Sequence, residues 1–98
     1  MATTPEGKVK TAIKSVLKDE GIYYFMPRGT LLGRRGVSDF ICCVNGKFLA
    51  IEAKAGTNKL SPTQMLEKDA VTKAGGIALV INESNLDQLR LIIQGMRL

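Results

Sequence analysis

The 98-residue chain contains no histidine. That absence excludes Ser-His and Cys-His nucleophile pairs, a histidine general base and any histidine-ligated zinc site. Acid–base or metal chemistry would have to come from carboxylates, lysines, water or the backbone. Tryptophan is also missing. The two cysteines, Cys42 and Cys43, are adjacent. Neighbours on a strand point to opposite faces, so they do not readily bridge each other, and no C-x-x-C spacing is present. They read as two small buried hydrophobes, free thiols that suit a reducing compartment. There is no run of 18 apolar residues to span a membrane. The opening Met-Ala-Thr-Thr-Pro-Glu-Gly lacks the apolar stretch of a secretory signal, so an intracellular protein is expected.

At this length the chain makes one domain, residues 1–98, and 45% hydrophobic residues suffice for a small core. The net charge of +5 favours a polyanionic partner. No repeat, linker or low-complexity segment interrupts the chain.

The hydrophobic pattern predicts α-β-β-β-α-β-α. In 5–19, Val9, Ala12, Ile13, Val16 and Leu17 form a helical stripe. Thr4 is placed to cap it, Pro5 suits its first turn and Gly21 stops it. A strand over 22–26 ends at Pro27, and a loop rich in glycine and arginine follows. Strands at about 38–44 and 47–54 flank Asn45-Gly46, the sequence signature of a type I′ hairpin turn. Phe40, Cys42, Leu49, Ile51 and Ala53 line one face of that hairpin, and Ile41, Cys43, Phe48 and Ala50 the other. A sheet apolar on both sides needs cover on both. Ser61-Pro62-x-Gln64 has the form of a capping box opening a helix that runs to about Ala74. Ile77–Ile81 is an apolar strand, and Ser84-x-x-Asp87 begins a last helix ending near Met96.

A two-residue turn at Asn45-Gly46 sets the pairing, and it places Asp39 opposite Glu52. Directly opposed side chains lie about 5 Å apart, and like charges so placed repel. A cation between them removes that cost. Mg²⁺ binds oxygen and keeps several waters, so one or two carboxylates and a phosphate suffice. Asp39 and Glu52 are therefore the candidate metal ligands, with the backbone carbonyl of Ala53 as a third oxygen. Lys54 shares the face of Glu52 by the period of two and is placed to orient or deprotonate a metal-polarised water. The competing interpretation is an ion network in which Lys54 merely neutralises two acids. It is weakened by the desolvation that buried charges suffer.

Three segments together carry a family resemblance: Gly36-Val-Ser-Asp39, Glu52-Ala-Lys54 and Ser61-Pro-Thr-Gln64. In this order of elements they resemble the PD-(D/E)xK nucleases, and within them the virus-type replication-repair nuclease (VRR-NUC) group. Glu6 on the first helix and the Gly75-Gly76-Ile77-Ala-Leu-Val stretch fit the same group. Ser38 stands where the family usually has proline, a change that affects backbone rigidity more than metal ligation. The resemblance implies an α/β fold with a restriction-endonuclease-like αβββαβ core, its mixed sheet flanked by helices on both faces. It also implies Mg²⁺- or Mn²⁺-dependent hydrolysis of DNA to a 5′-phosphate and a 3′-hydroxyl. Small homodimers acting on branched or four-way (Holliday) junction DNA are implied as well, in a bacterial cytoplasm or a phage-infected cell. A catalytically inactive nucleic-acid-binding module on the same fold is the alternative.

Two residues keep double readings. Glu6 is either a metal or water ligand, as its family position implies, or a helix-start residue, the end of a Thr3-x-x-Glu6 capping box or an acid favoured in the first turn. Gln64 is either a site residue or the capping glutamine of Ser61-x-x-Gln64. Arg28, Arg34 and Arg35, with Gly29, Gly33 and Gly36, are candidate DNA-backbone contacts, because guanidinium and exposed N–H groups both suit phosphate. Lys59 joins them, with Lys8, Lys14 and Lys73 as weaker candidates. One of Tyr23 and Tyr24 should face the core. Tyr23, Phe25, Leu31, Leu32, Ile92 and Met96 are candidate dimer contacts. With no zinc module or base-reading helix evident, recognition should be of DNA backbone and shape.

Overall fold

The structure, a computed structural model, describes residues 4–27 and 35–98. Its elements are α1 (Pro5–Asp19), β1 (Tyr23–Phe25), β2 (Phe40–Val44), β3 (Lys47–Ala53), α2 (Pro62–Lys73), β4 (Ile77–Ile81) and α3 (Leu86–Met96). The predicted order holds throughout, and the strand and helix ends move by one or two residues. The last helix starts later than expected. Asn85, not Ser84, is its N-cap, and the Asn85 side chain is spent on Asn82 N–H and the Val80 carbonyl. Thr3, Arg28, Leu31, Leu32 and Arg34 lie outside the described residues.

One four-stranded sheet runs in the order β1-β2-β3-β4. The first three strands are antiparallel neighbours, and β4 lies parallel to β3. A parallel pair cannot be closed by a tight turn, and α2 supplies the crossover. The turn between β2 and β3 has the two left-handed residues a type I′ turn needs, Asn45 at φ 53° and Gly46 at φ 78°. It fixes the register with Val44 opposite Lys47 and Phe40 opposite Ile51.

The two faces of the sheet are covered unequally. Phe40, Cys42, Val44, Leu49, Ile51, Ala53 and Ile81 are buried with Val9, Ile13, Val16 and Leu17 of α1 and Leu89, Ile93 and Met96 of α3. Tyr24 packs on Phe40 from this side with ring centroids 5.9 Å apart, which makes Tyr24 the inward tyrosine and Tyr23 the exposed one. Arg90 and Arg97 then tie α3 to Asp19 and Glu20 at the end of α1. Among the described residues the opposite face is covered by α2 alone, which buries none of its own residues fully. An apolar groove of about 660 Å³ remains between α2 and the sheet, lined in part by Phe25, Ile41, Phe48 and Val71.

Two residues lie elsewhere than the hydrophobic pattern predicts. Cys43 is exposed at the less covered face, while Cys42 is buried and its thiol is pushed up to about 12 by that burial. Met96 belongs to the core, so it is withdrawn as a dimer contact, and Ile92 packs half-buried against the same core. No helix among the described residues is long and apolar enough to cross a membrane.

Candidate active site

The hairpin register continues one step past Phe40–Ile51 and brings Asp39, just ahead of β2, beside Glu52 of β3. Asp39 is fixed there by the backbone, because Ala53 N–H donates to its Oδ2 at 2.8 Å. Glu52 is the one buried charged or polar residue among those described, at 5% exposure. Its Oε2 accepts from Gln64 Nε2 at 3.0 Å. Its Oε1 is buried with no hydrogen-bond donor. A buried carboxylate oxygen without a donor is costly unless something cationic, or a proton, meets it.

Burial raises the Glu52 pKa from 4.5 to about 8. The neighbouring Asp39 carboxylate adds to the shift by its charge and by sharing a hydrogen bond, Lys54 opposes it, and Glu6 adds a little. Asp39 and Glu52 can share a hydrogen bond only when one carboxyl is protonated. The same contact therefore leaves the ionised pair without a bridging donor.

The two readings of Gln64 prove compatible, because its amide has two ends. The carbonyl accepts from Ser61 N–H at 2.9 Å while Ser61 Oγ accepts from Gln64 N–H at 3.2 Å, completing the capping box. The NH₂ end is thereby aimed at Glu52. Of the two helix-start readings of Glu6, the first-turn acid holds and the capping box does not: Thr4 is the N-cap, taking Gly7 N–H at 3.0 Å, and Glu6 sits in the first turn. It lies 4.0 Å from Lys10, one turn on.

Lys10 joins the site although no sequence motif singles it out. Its Nζ stands 3.5 Å from Asp39 Oδ1. The spacing Glu6-x-x-x-Lys10 is a favourable helical pair and was visible in the sequence. Its direction toward Asp39 follows only from how α1 packs. Lys54 follows β3 with its N–H bonded to the Ile81 carbonyl at 3.0 Å, and its charge favours ionised Glu52. Arg35, in the turn before Asp39, and Lys59, between β3 and α2, are both exposed.

The chain leading to Asp39 rests directly on the start of α2. Gly36 has φ +76°, and a Cβ there would lie 2.5 Å from the Thr63 carbonyl oxygen and 3.0 Å from Gln64 N. Only glycine permits this approach. Gly36→Ala should cost about 1–3 kcal/mol and disturb the Gln64–Glu52 bond. Gly56→Ala is the matched control, since Gly56 also has a positive φ but open space around it. Urea unfolding of both should show the larger loss at Gly36; equal losses would mean the contact with Thr63 carries no weight.

No family model and no curated protein matches the chain. Among solved structures, one described as a "VRR_NUC domain protein" superposes with a TM-score of 0.69, covering 95% of this chain and 88% of the other. The fold is that of a VRR-NUC domain. At 21% identity the likeness extends to the fold, and the chemistry has to be read from this chain's own side chains. On the VRR-NUC framework, Asp39 lies at the start of β2, Glu52 near the end of β3 and Lys54 just beyond it. Gln64 occupies the first turn of the crossover helix. Among the described residues no three Asp, Glu, His or Cys side chains form a group able to enclose an ion. The Asp39 and Glu52 carboxylates are nonetheless close enough to share a hydrogen bond.

Proposed function

We propose that the protein is a divalent-metal-dependent DNA endonuclease that hydrolyses phosphodiester bonds to leave a 5′-phosphate. The observation that carries this reading is the juxtaposition of Asp39 with a buried Glu52 whose Oε1 has no donor. Two acids forced together, one with a bare oxygen, suit a hard cation that keeps most of its own water. Asp39 and Glu52 would hold Mg²⁺ or Mn²⁺, with the Ala53 carbonyl as a further oxygen. When bound, such an ion polarises the phosphate and lowers the pKa of water. The protein's part is to orient. Gln64 fixes the Glu52 carboxylate through Oε2. Lys54 positions the attacking water, accepts or returns its proton, and stabilises negative charge developing on the phosphate. Glu6, whose charge reaches Glu52, orders a second water or ion.

DNA is the polyanion of the proposal, supported by the net charge of +5 and by exposed Arg35, four residues before Asp39 in the chain, and exposed Lys59, between β3 and α2. Arg28 and Arg34 are assigned to the same backbone contact. Branched or four-way junction DNA is the proposed substrate and a homodimer the proposed form, since two-fold symmetry would set two sites for paired cuts. Exposed Tyr23 and Phe25 are the apolar residues offered for that interface. An intracellular setting is proposed on the free thiols.

The test is a panel of labelled linear, flap, splayed-arm and four-way DNAs under single-turnover conditions, with Mg²⁺, Mn²⁺ or EDTA. Metal-dependent cutting strongest on branched substrates is expected. Binding without cutting in either metal would instead support an inactive binding module on the same fold. Light scattering on the same preparation should give twice the 10.6 kDa chain mass.

A further inference from the structure

We propose that Lys10 is a tethered counter-cation of the acidic pair, holding Asp39 Oδ1 in the metal-free protein and yielding it when a divalent ion enters. It therefore sets how tightly the site binds metal. The inference rests on the metal-site reading above and assigns a role to a residue which that reading leaves unused.

Asp39 Oδ2 is held by Ala53 N–H, a backbone donor that the strand keeps in place. Glu52 Oε2 is held by Gln64, itself locked by the capping box. Glu52 Oε1 has no donor. That leaves Asp39 Oδ1, whose partner is the Lys10 ammonium at 3.5 Å. An ion joining both acids would use the bare Glu52 oxygen and the Asp39 oxygen with the most easily moved partner. An ammonium on a flexible four-carbon stem is such a partner, and a backbone N–H is not.

Lys10 also has somewhere to go. Glu6 lies one turn earlier on the same helix with an oxygen 4.0 Å from Nζ, so the ammonium exchanges partners without leaving its helix face. Lys10 and Asp39 are both partly shielded, at 34% and 19% side-chain exposure, so their attraction is screened less than that of a fully exposed pair. An ordinary helix-surface pair would stabilise α1 slightly and leave cation binding alone. A counter-cation opposes any second cation at the same oxygen.

The measurement is Mn²⁺ binding to the whole protein without DNA, following free Mn²⁺ by electron paramagnetic resonance. Lys10→Met removes the charge and keeps the stem; it should tighten Mn²⁺ binding at least threefold. Lys10→Arg should return the affinity to within about twofold of wild type. Lys14→Met, at an exposed lysine of the same helix, changes net charge equally and should leave the affinity within about 1.5-fold. Asp39→Asn defines the site-specific part of the binding. If Mn²⁺ binding is lost in Asp39→Asn but Lys10→Met binds no more tightly than wild type, the role of Lys10 is overturned and the metal site stands. If wild type and Asp39→Asn bind Mn²⁺ alike, both fall.

Discussion

Asp39→Asn is expected to reduce single-turnover DNA cleavage by more than about 100-fold while leaving the protein folded and able to bind DNA. Loss of an outer hydrogen-bond partner of a metal ligand typically costs roughly 10- to 100-fold, and loss of the ligand itself should exceed that. The fold should tolerate the change because the asparagine carbonyl still accepts Ala53 N–H, the contact that anchors residue 39. At pH 8 and above, where Glu52 ionises, relief of its repulsion with residue 39 offsets the lost Lys10 pair, so the metal-free melting temperature should hold or rise there. Circular dichroism, fluorescence anisotropy with labelled junctions and a quenched cleavage time course check the three parts. If cleavage proceeds at the wild-type rate in the folded variant, the proposed site is wrong. A structural ion network predicts the reverse pattern, with a large loss of stability and no specific loss of activity.

The second large effect concerns pH. Glu52 has its folded pKa raised from 4.5 to about 8, so between these values the folded state holds a proton that the unfolded chain has released. Stability without metal should therefore be greatest below about pH 4.5 as far as this group is concerned, and fall as pH rises toward 8. One such proton changes stability by up to about 1.4 kcal/mol per pH unit. Glu52→Gln is neutral at every pH, and its side-chain carbonyl can still accept from Gln64. It should flatten this slope and be more stable than wild type at pH 8 in EDTA. Urea midpoints at pH 5, 6, 7 and 8 for both proteins read the effect. A wild-type slope that persists unchanged in Glu52→Gln would place the responsible group elsewhere. Saturating Mn²⁺ should remove most of the wild-type loss at pH 8, because binding to the native state alone stabilises by mass action.

The elements of the fold were legible because local signals agreed with one another. The Asn45-Gly46 turn dictated both hairpin pairing and the meeting of Asp39 with Glu52, since a two-residue loop leaves no freedom of register. Pro5, Pro62 and the Ser61–Gln64 box marked helix starts in the same way. What stayed hidden depended on how elements pack. Lys10 is one of several lysines on α1, and nothing local tells that its side chain ends at Asp39. Cys43 and Met96 were misplaced for a related reason: strand alternation and helix periodicity name a face, not how completely that face is covered. The capping question at Gln64 was undecidable from spacing, because one amide serves both the cap and the carboxylate.

That shared amide couples events otherwise far apart in kind. When the first turn of α2 frays, the hydrogen bond that holds Ser61 N–H and the one that steadies Glu52 are released in the same motion. Exchange of the Ser61 amide proton with deuterium would thus report, from a solvent-facing backbone position, how often the buried acid loses its alignment. Anything that quietens the buried acid should slow that exchange.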